Sequence, residues 1–149
     1  MATLKQIEDF MAATPIALVG VSRNPKKFGQ AAFKELKQKG LDIIPVNPLA
    51  DEILGSKAYN SISSLPADVK GVIIMTKKDQ TAAVVREAKA KGIRNIWIQQ
   101  MADSKEAIKE LAGSDINYII GECVLMHYKP HSVHKFHKTL RKIFRVFPK

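Results

Sequence analysis

The sequence has almost no cysteine and no long apolar run. Cys123 is the only cysteine among the 149 residues, which excludes an intrachain disulfide and a thiolate metal cluster within one chain. No apolar stretch reaches the roughly 18 to 20 residues that a membrane-spanning helix needs. Residues 1–14 carry Lys5, Glu8 and Asp9, where a secretory signal would have an apolar core. These absences predict a cytoplasmic protein with one main folded domain.

Two common nucleotide-binding patterns are absent as well. The dinucleotide fingerprint needs G-x-G-x-x-G, but Gly20 is followed by Val21 and Ser22, and the next glycine is Gly29. Asn47 stands where an acidic residue would hold a ribose hydroxyl. The Gly-Lys-Ser/Thr ending of a P-loop does not occur. The sequence therefore disfavours NAD and P-loop hydrolysis of ATP or GTP, but it leaves an adenine nucleotide open.

Positive charge is in excess, and it is concentrated at one end of the chain. The formal net charge is +10, from 24 Lys and Arg against 14 Asp and Glu, which predicts an anionic partner. Residues 127–149 contain seven of the basic side chains and no carboxylate. The sequence thus divides into a mildly basic domain at 1–126 and a strongly basic extension at 127–149.

Short apolar runs alternate with segments of helical spacing along the domain. A capping box at Thr3 and Gln6 predicts that the chain opens with a helix. The predicted strands are 16–19, 42–46, 71–75, 96–99 and 116–120, with a small extended piece at 56–59. Further helices are predicted at 28–39, 79–91 and 104–111. In the second of these, Asp79 is the expected cap, and the residues spaced for packing are Ala83, Val84, Ala88 and Ala90.

The predicted strands are apolar throughout instead of alternating between apolar and polar residues. This pattern is typical of a parallel sheet covered by helices on both faces, so the predicted fold class is a doubly wound α/β domain. Ligands in such folds bind at the carboxyl ends of the strands, where the strand order reverses. The regions expected to form a site are therefore the loop from Gly20, the Asn47-Pro48 turn, and the loops at 75–78 and 99–103.

The loop at 20–29 has the components of an anion-binding site. It joins the first strand to the first long helix, whose N-terminus offers free N–H groups. The loop combines two glycines, one hydroxyl and three cations: Gly20, Gly29, Ser22, Arg23, Lys26 and Lys27. This combination predicts a phosphate-bearing ligand. The alternative is an ordinary surface turn whose lysines are only solvated.

Three segments together resemble the small coenzyme A-binding proteins. They are Ile-Ala-Leu-Val-Gly-Val-Ser-Arg-Asn-Pro-Lys-Lys-Phe-Gly at 16–29, Val-Asn-Pro at 46–48 with Ala-Asp-Glu-Ile-Leu-Gly at 50–55, and Ile-Trp-Ile-Gln at 96–99. Those proteins are similar to the N-terminal domain of the succinyl-CoA synthetase alpha subunit. The resemblance covers about residues 15–123, and it implies a Rossmann-like fold with coenzyme A or an acyl-CoA lying across the strand ends.

The resemblance also implies which residues hold the coenzyme. Residues of the first loop would surround the phosphates: Gly20, Val21, Ser22, Arg23, Lys26, Phe28 and Gly29. Asn47 and Pro48 would flank the nucleotide, and the adenine or pantetheine side would be lined by Met75, Thr76 and Lys77. The chain departs from the family at Gly121-Glu122-Cys123, where an acidic-basic-cysteine triplet is common. The phosphorylated histidine of the ligase belongs to a domain outside the resemblance, so acyl-CoA synthesis by this chain alone is not implied.

Neither catalysis nor a metal site is predicted. Cys123 is interpreted as a buried small residue rather than a nucleophile, since unreactive buried cysteine is the common case. The four histidines are His127, His131, His134 and His137. On a helix, residues three apart differ by about 60° around the axis, so three of these histidines would not converge on one ion.

The extension at 127–149 is predicted to form a basic amphipathic helix. Its apolar stripe contains Val133, Phe136, Leu140, Ile143, Phe144 and Phe147. This stripe is expected to pack on the domain or on a second copy in a homo-oligomer. The leading functional hypothesis is a coenzyme A-binding module without catalysis of its own. The alternatives are a basic interaction protein whose helix docks on nucleic acid or a membrane surface, and an enzyme acting on a CoA thioester.

Overall fold

A computed structural model of the chain describes residues 2–129. Residues 130–149 of the predicted C-terminal helix lie outside these residues, together with His131, His134 and His137, and the described residues 127–129 are not helical. The proposals that this helix packs on the domain, mediates oligomerisation or docks on nucleic acid or membrane therefore stay predictions.

The described chain alternates strands and helices in the predicted order. The helices are α1 (Leu4–Ala12), α2 (Phe28–Gln38), α3 (Lys78–Ala90) and α4 (Lys105–Leu111). The strands are β1 (Ile16–Val19), β2 (Ile43–Val46), β3 (Glu52–Ile53), β4 (Ser56–Lys57), β5 (Gly71–Ile74), β6 (Asn95–Gln99) and β7 (Asn117–Glu122). A short 3-10 turn at Val124–Met126 follows β7. The capping box predicted at Thr3 and Gln6 is confirmed by both of its hydrogen bonds.

Five strands form one parallel sheet in the order β2-β1-β5-β6-β7. Leu18 of β1 lies in register between Pro45 of β2 and Ile73 of β5. The chain steps outward from β1 to β2 and then returns to the other side of β1 at β5, so the strand order reverses between β1 and β5. Loops leaving these two strands diverge there and open a crevice at the carboxyl edge of the sheet.

Helices cover both faces of the sheet, as predicted. On one face, Phe10 of α1 and Phe33 of α2 pack in a core with Trp97, and the Phe10 and Trp97 rings meet edge to face at 5.3 Å. On the other face, Val85 of α3 and Leu111 of α4 pack in a second core. The strands are buried from both sides, which explains why their sequences are continuous apolar runs.

Three local predictions are corrected by the structure. β3 and β4 form a small antiparallel hairpin, of which only the second half was expected, as an extended piece. β7 extends to Glu122 instead of ending at residue 120. Helix α3 begins at Lys78 with Lys77 at its N-cap, so Asp79 lies in the first turn and is not the cap. No helix within residues 2–129 has the length and apolar character needed to cross a bilayer.

The packing face of α3 also differs from the prediction. The buried residues of this helix are Thr81, Ala82, Val85 and Ala88. Of the four residues expected to pack, only Ala88 is buried, whereas Ala83 and Ala90 are exposed. The helix is therefore rotated relative to the expected face: Ala83 lines a surface cleft, and Val84 lines the cleft while packing in part against the second core.

Candidate functional site

The loop after β1 is held by close backbone contacts that only glycine permits. Gly20 has a φ of +101°, and a Cβ at this position would lie 2.5 Å from the carbonyl oxygen of Met75 at the end of β5. A Cβ on Gly29, in the first turn of α2, would lie 2.1 Å from the carbonyl oxygen of Gly20. The end of β1, the end of β5 and the start of α2 are therefore packed backbone against backbone.

Two consecutive side-chain turns shape the rest of this loop. The Ser22 hydroxyl oxygen accepts a hydrogen bond from the Asn24 N–H at 3.0 Å, and Asn24 Oδ1 accepts one from the Lys26 N–H at 2.9 Å. Gln30 is buried in α2, and its amide Nε2 donates to the Ser22 carbonyl at 3.0 Å. Ser22 thus has a structural role in the turn, and its hydroxyl hydrogen remains able to donate to a ligand.

The helices differ in how their N-termini are satisfied. Helix α4 follows β6 and is capped by Ser104, whose hydroxyl oxygen accepts from the Ala107 N–H at 3.1 Å. Helices α2 and α3 follow β1 and β5, on either side of the reversal point, and neither has a side-chain cap. The free N–H groups and dipole of α2 favour an anion, whereas Asp79 lies in the first turn of α3 and offsets the dipole of that helix.

Three exposed cations add to the positive potential at the start of α2. Arg23, Lys26 and Lys27 lie in the loop that leads into α2, and all three side chains are exposed. None of the three makes a side-chain hydrogen bond or ion pair among the described residues. These cations therefore remain available to an anion beside the uncapped helix.

Asn47 connects the loops after β1 and β2. Its Nδ2 donates to the Val21 carbonyl at 2.8 Å, and its Oδ1 accepts from the Leu49 N–H at 2.7 Å. Both ends of the amide are thus used within the protein. Asn47 positions the two loops that border the crevice.

A cleft of about 470 Å³ opens between the ends of β1, β2 and β5 and one side of α3. The strand ends and the loops that follow them supply part of its lining, which comprises Val19, Gly20, Val46, Pro48, Asn60, Ser61, Ile62 and Thr76. Helix α3 supplies the rest, with Asp79, Gln80, Ala83, Val84 and Glu87. Most of the surface is apolar, with a few polar groups at the rim, as is usual for a small-molecule site.

The sequence-predicted site residues fall into three groups around this cleft. Gly20, Pro48 and Thr76 line it. The exposed residues beside it are Arg23, Lys26, Phe28 and Lys77, with Ser22 and Asn47 half-buried. Val21 and Gly29 are buried beneath the loop, and Met75 packs against the core on the α1 and α2 face.

Sequence reasoning missed the wall that α3 contributes to the cleft. Asp79, Ala83 and Glu87 recur every four residues, which places them on one helix face. That spacing was the available signal, but the small apolar Ala83 was interpreted as a packing residue. Gln30 was missed because a glutamine in a helix gives no local sign that it will be buried.

A second set of polar side chains lies at the ends of β6 and β7, and its members hydrogen-bond to one another and to the adjacent backbone. We call it the closed cluster, and it consists of Gln99, Glu122, Cys123 and His127. Gln99 Nε2 donates to the Cys123 Sγ at 3.1 Å, and Gln99 Oε1 accepts from the Val124 N–H at 3.0 Å. His127 Nε2 lies 3.1 Å from Glu122 Oε2, and both side chains are buried.

The closed cluster accounts for the lone cysteine. Cys123 is buried, as predicted, and it lies against an amide rather than at the cleft. Within residues 2–129 no group of three or more His, Cys, Asp and Glu side chains is arranged to hold a metal ion.

Comparison with known proteins gives consistent matches. A family described as "CoA binding domain" matches residues 14–129. The alpha subunit of an ADP-forming acetate–CoA ligase II from Pyrococcus furiosus is 34% identical over 93 residues, which are 62% of this chain and 20% of that subunit. The chain thus corresponds to about a fifth of the ligase subunit's length.

Smaller proteins match over most of their own length. YneT of Bacillus subtilis is 30% identical over 109 residues, covering 73% of this chain and 81% of YneT. The solved structure of a conserved hypothetical protein from Pyrococcus furiosus matches with a TM-score of 0.71 at 38% identity, covering 74% of this chain and 95% of that one.

Proposed function

Because the chain belongs to the family of coenzyme A-binding domains, we propose that it binds coenzyme A or an acyl-CoA through the loop after β1. The family resemblance predicted from the sequence is thereby confirmed, whereas the ligand and its residues are the proposal. The observation that supports it best is the uncapped start of α2, which lies against Gly20 and beside three exposed cations. Such a helix start is suited to a diphosphate.

The residues present fit this coenzyme in two respects. Gly20 and Gly29 let the end of β1 pack directly against the start of α2, which holds the loop beside the free N–H groups of that helix. Arg23 and Lys26 supply countercharge at the same place. The cleft beside the loop then offers an apolar surface with amide and hydroxyl groups for the nucleoside.

Binding without catalysis is part of the proposal. Cys123 is buried in the closed cluster, where the Gln99 amide donates to its sulfur. The described residues that line the cleft contain no cysteine or histidine. The chain matches a fifth of the ligase subunit, so ligase activity is not proposed for it.

Calorimetric titration of the full chain with coenzyme A, acetyl-CoA, NAD and ATP tests the function. We expect coenzyme A and acetyl-CoA to bind, and Arg23→Ala and Lys26→Ala each to weaken both by about fivefold, because each removes one exposed countercharge. Lys70→Ala is the matched control, since Lys70 is an exposed lysine just before β5, at the opposite edge of the sheet. NAD binding without a response to coenzyme A would refute the proposal.

A further inference from the structure

The five-stranded sheet has two edge strands, β2 and β7, and the described residues cover only β2. The Tyr59 N–H donates to the Pro45 carbonyl at 3.1 Å, and the Asn47 N–H donates to the Tyr59 carbonyl at 2.9 Å. Pro45 has no N–H that could be left unpaired at this edge. Tyr59 therefore closes β2 against pairing with a further strand.

At the other edge, the outward backbone groups of β7 have no partner within residues 2–129. The Asn117 N–H donates to the Arg94 carbonyl, just before β6, and alternate residues of a parallel ladder bond to the same neighbouring strand. The N–H and carbonyl groups of Tyr118 and Ile120 therefore point away from β6. No hydrogen bond from a described residue reaches them.

The β7 edge also lacks the features that usually prevent edge strands from pairing. Residues 117–121 are Asn-Tyr-Ile-Ile-Gly, with no charge and no proline. Tyr118 and Ile120 are half-buried, and a recess of about 230 Å³ along this edge is lined by them and by Ala2 and Gln6. Aromatic and β-branched residues favour strand pairing. The edge is thus uncharged, partly apolar and open to one more strand.

The last described residues lie on the far side of the sheet from β7. Lys39, at the C-terminal end of α2, donates from Nζ to the Tyr128 carbonyl at 3.5 Å, and Lys129 Nζ donates to the Lys39 carbonyl at 3.2 Å. Helix α2 packs beside β2. The two edge strands are about 19 Å apart, because neighbouring strands are spaced by about 4.8 Å. The chain at residue 129 is therefore beside the covered edge and not beside β7.

We propose that the β7 edge is an interaction surface for a second copy of this chain. The two β7 strands pair antiparallel about a twofold axis at Ile119, so that Tyr118 lies opposite Ile120 of the partner subunit. In this register the outward groups of both residues meet, and each opposed pair exchanges two hydrogen bonds. Each pair also joins an aromatic to a β-branched side chain, and no charge faces a like charge.

A second copy is favoured over an unrelated partner because the edge is complementary to itself. One strand supplies both members of each opposed pair, as a twofold interface requires. The surface differs from the predicted C-terminal helix, and it also lies outside the cleft, which opens at the ends of β1, β2 and β5. Association through β7 therefore leaves the coenzyme site of each copy open.

The first test is the mass of the full chain, measured by analytical ultracentrifugation over a range of concentrations. One strand pair buries a small area, so we expect mostly monomer at about 1 μM and mostly dimer by about 500 μM. Ile120→Lys should weaken dimerisation by about tenfold or more, because it places a cation on the pairing edge. A chain that is still monomeric at the highest concentration would overturn the proposal.

The matched control is Ile44→Lys. Ile44 is a half-buried residue of β2, the covered edge strand, and it packs against the same core as Ile120. Both variants should lose a similar amount of stability in denaturant unfolding, but Ile44→Lys should dimerise like the unaltered chain. If Ile120→Lys dimerised as well as this control, association would use another surface, such as the predicted C-terminal helix, and the proposal would be wrong.

Amide hydrogen exchange, followed by NMR, tests the register. The Tyr118 and Ile120 N–H groups should exchange at least about tenfold more slowly when the protein concentration is raised, because pairing with the second copy protects them. Ile119, which pairs with β6, should exchange slowly at every concentration. Slow exchange of Tyr118 and Ile120 in monomeric protein would show that the chain covers its own edge, which would also overturn the proposal.

Discussion

Two polar regions lie at the carboxyl edge of the sheet, and they differ in where their hydrogen bonds go. In the closed cluster, Gln99 uses both ends of its amide within the protein, and His127 and Glu122 contact each other out of solvent. In the loop after β1, the cations are exposed and the following helix has no side-chain cap. Buried polar groups that are satisfied internally support the fold, whereas polar groups left open at the surface are available to a ligand. Substitutions in the two regions should therefore separate stability from binding.

The largest effect is expected from Gly29→Ala. The added Cβ would lie 2.1 Å from the Gly20 carbonyl oxygen, so either α2 or the loop must shift. We expect a loss of about 3 kcal/mol in the free energy of unfolding and a fall of about tenfold or more in coenzyme A affinity. Denaturant unfolding and calorimetry measure the two quantities on the same sample.

The control for this variant is Gly113→Ala. Gly113 has a φ of +74° and open space around it, so an alanine there is strained without a clash. It should cost about 1 kcal/mol of stability and leave binding unchanged. If both variants lost affinity equally, the backbone contact between Gly29 and Gly20 would have no particular role in binding.

Gln99→Leu is expected to lower stability without lowering coenzyme A affinity. It removes the acceptor of the buried Val124 N–H and the donor to the Cys123 sulfur, which should cost about 2 kcal/mol of unfolding free energy. Coenzyme A affinity of the folded variant should stay within a factor of about two, because the closed cluster does not line the cleft. Gln100→Leu, at the exposed neighbouring position, should change neither quantity. A large loss of affinity in Gln99→Leu would place the closed cluster in the binding site.

The smallest effect is expected from Lys27→Ser, which adds a cap to α2. Lys27 is the N-cap residue and has an extended backbone, so serine can accept a hydrogen bond from the first turn. Stability should rise by about 0.5–1 kcal/mol, while coenzyme A affinity falls more than in Lys27→Ala, which removes the charge without adding a cap. Ser104→Ala, at the capped helix, should lower stability by a similar amount and leave affinity unchanged. Equal affinities for the two Lys27 variants would show that the free helix start is not used.

The sequence predicted those parts of the fold in which local pattern and burial agree. β1, β5 and β6 are buried on both faces, so their apolar runs identify them directly. The hairpin of β3 and β4 has two residues in each strand, which is too short for any periodicity to indicate both halves. Its second strand was anticipated, and its first was not.

The sequence predicted the loop of the candidate site but not the side of the cleft that α3 contributes. Glycines and cations close together in sequence identify the loop after β1. The α3 wall depends on how that helix is rotated, which is set by contacts of Val85 and Ala82 with the sheet. The buried roles of Gln30 and Gln99 depend on partners 8 and 24 residues away. Such pairings arise from the assembled sheet, so no local pattern predicts them.

The backbone contacts of Gly20 and Gly29 also affect whether the loop becomes ordered during folding or during ligand binding. The loop at 20–29 is fixed at both ends, because Gly20 packs against Met75 and Gly29 packs against Gly20, and the turns at Ser22 and Asn24 restrain the residues between them. Its conformational entropy is lost when the chain folds rather than when a ligand arrives. The binding surface is therefore preorganised, and the free and bound loops should superpose closely.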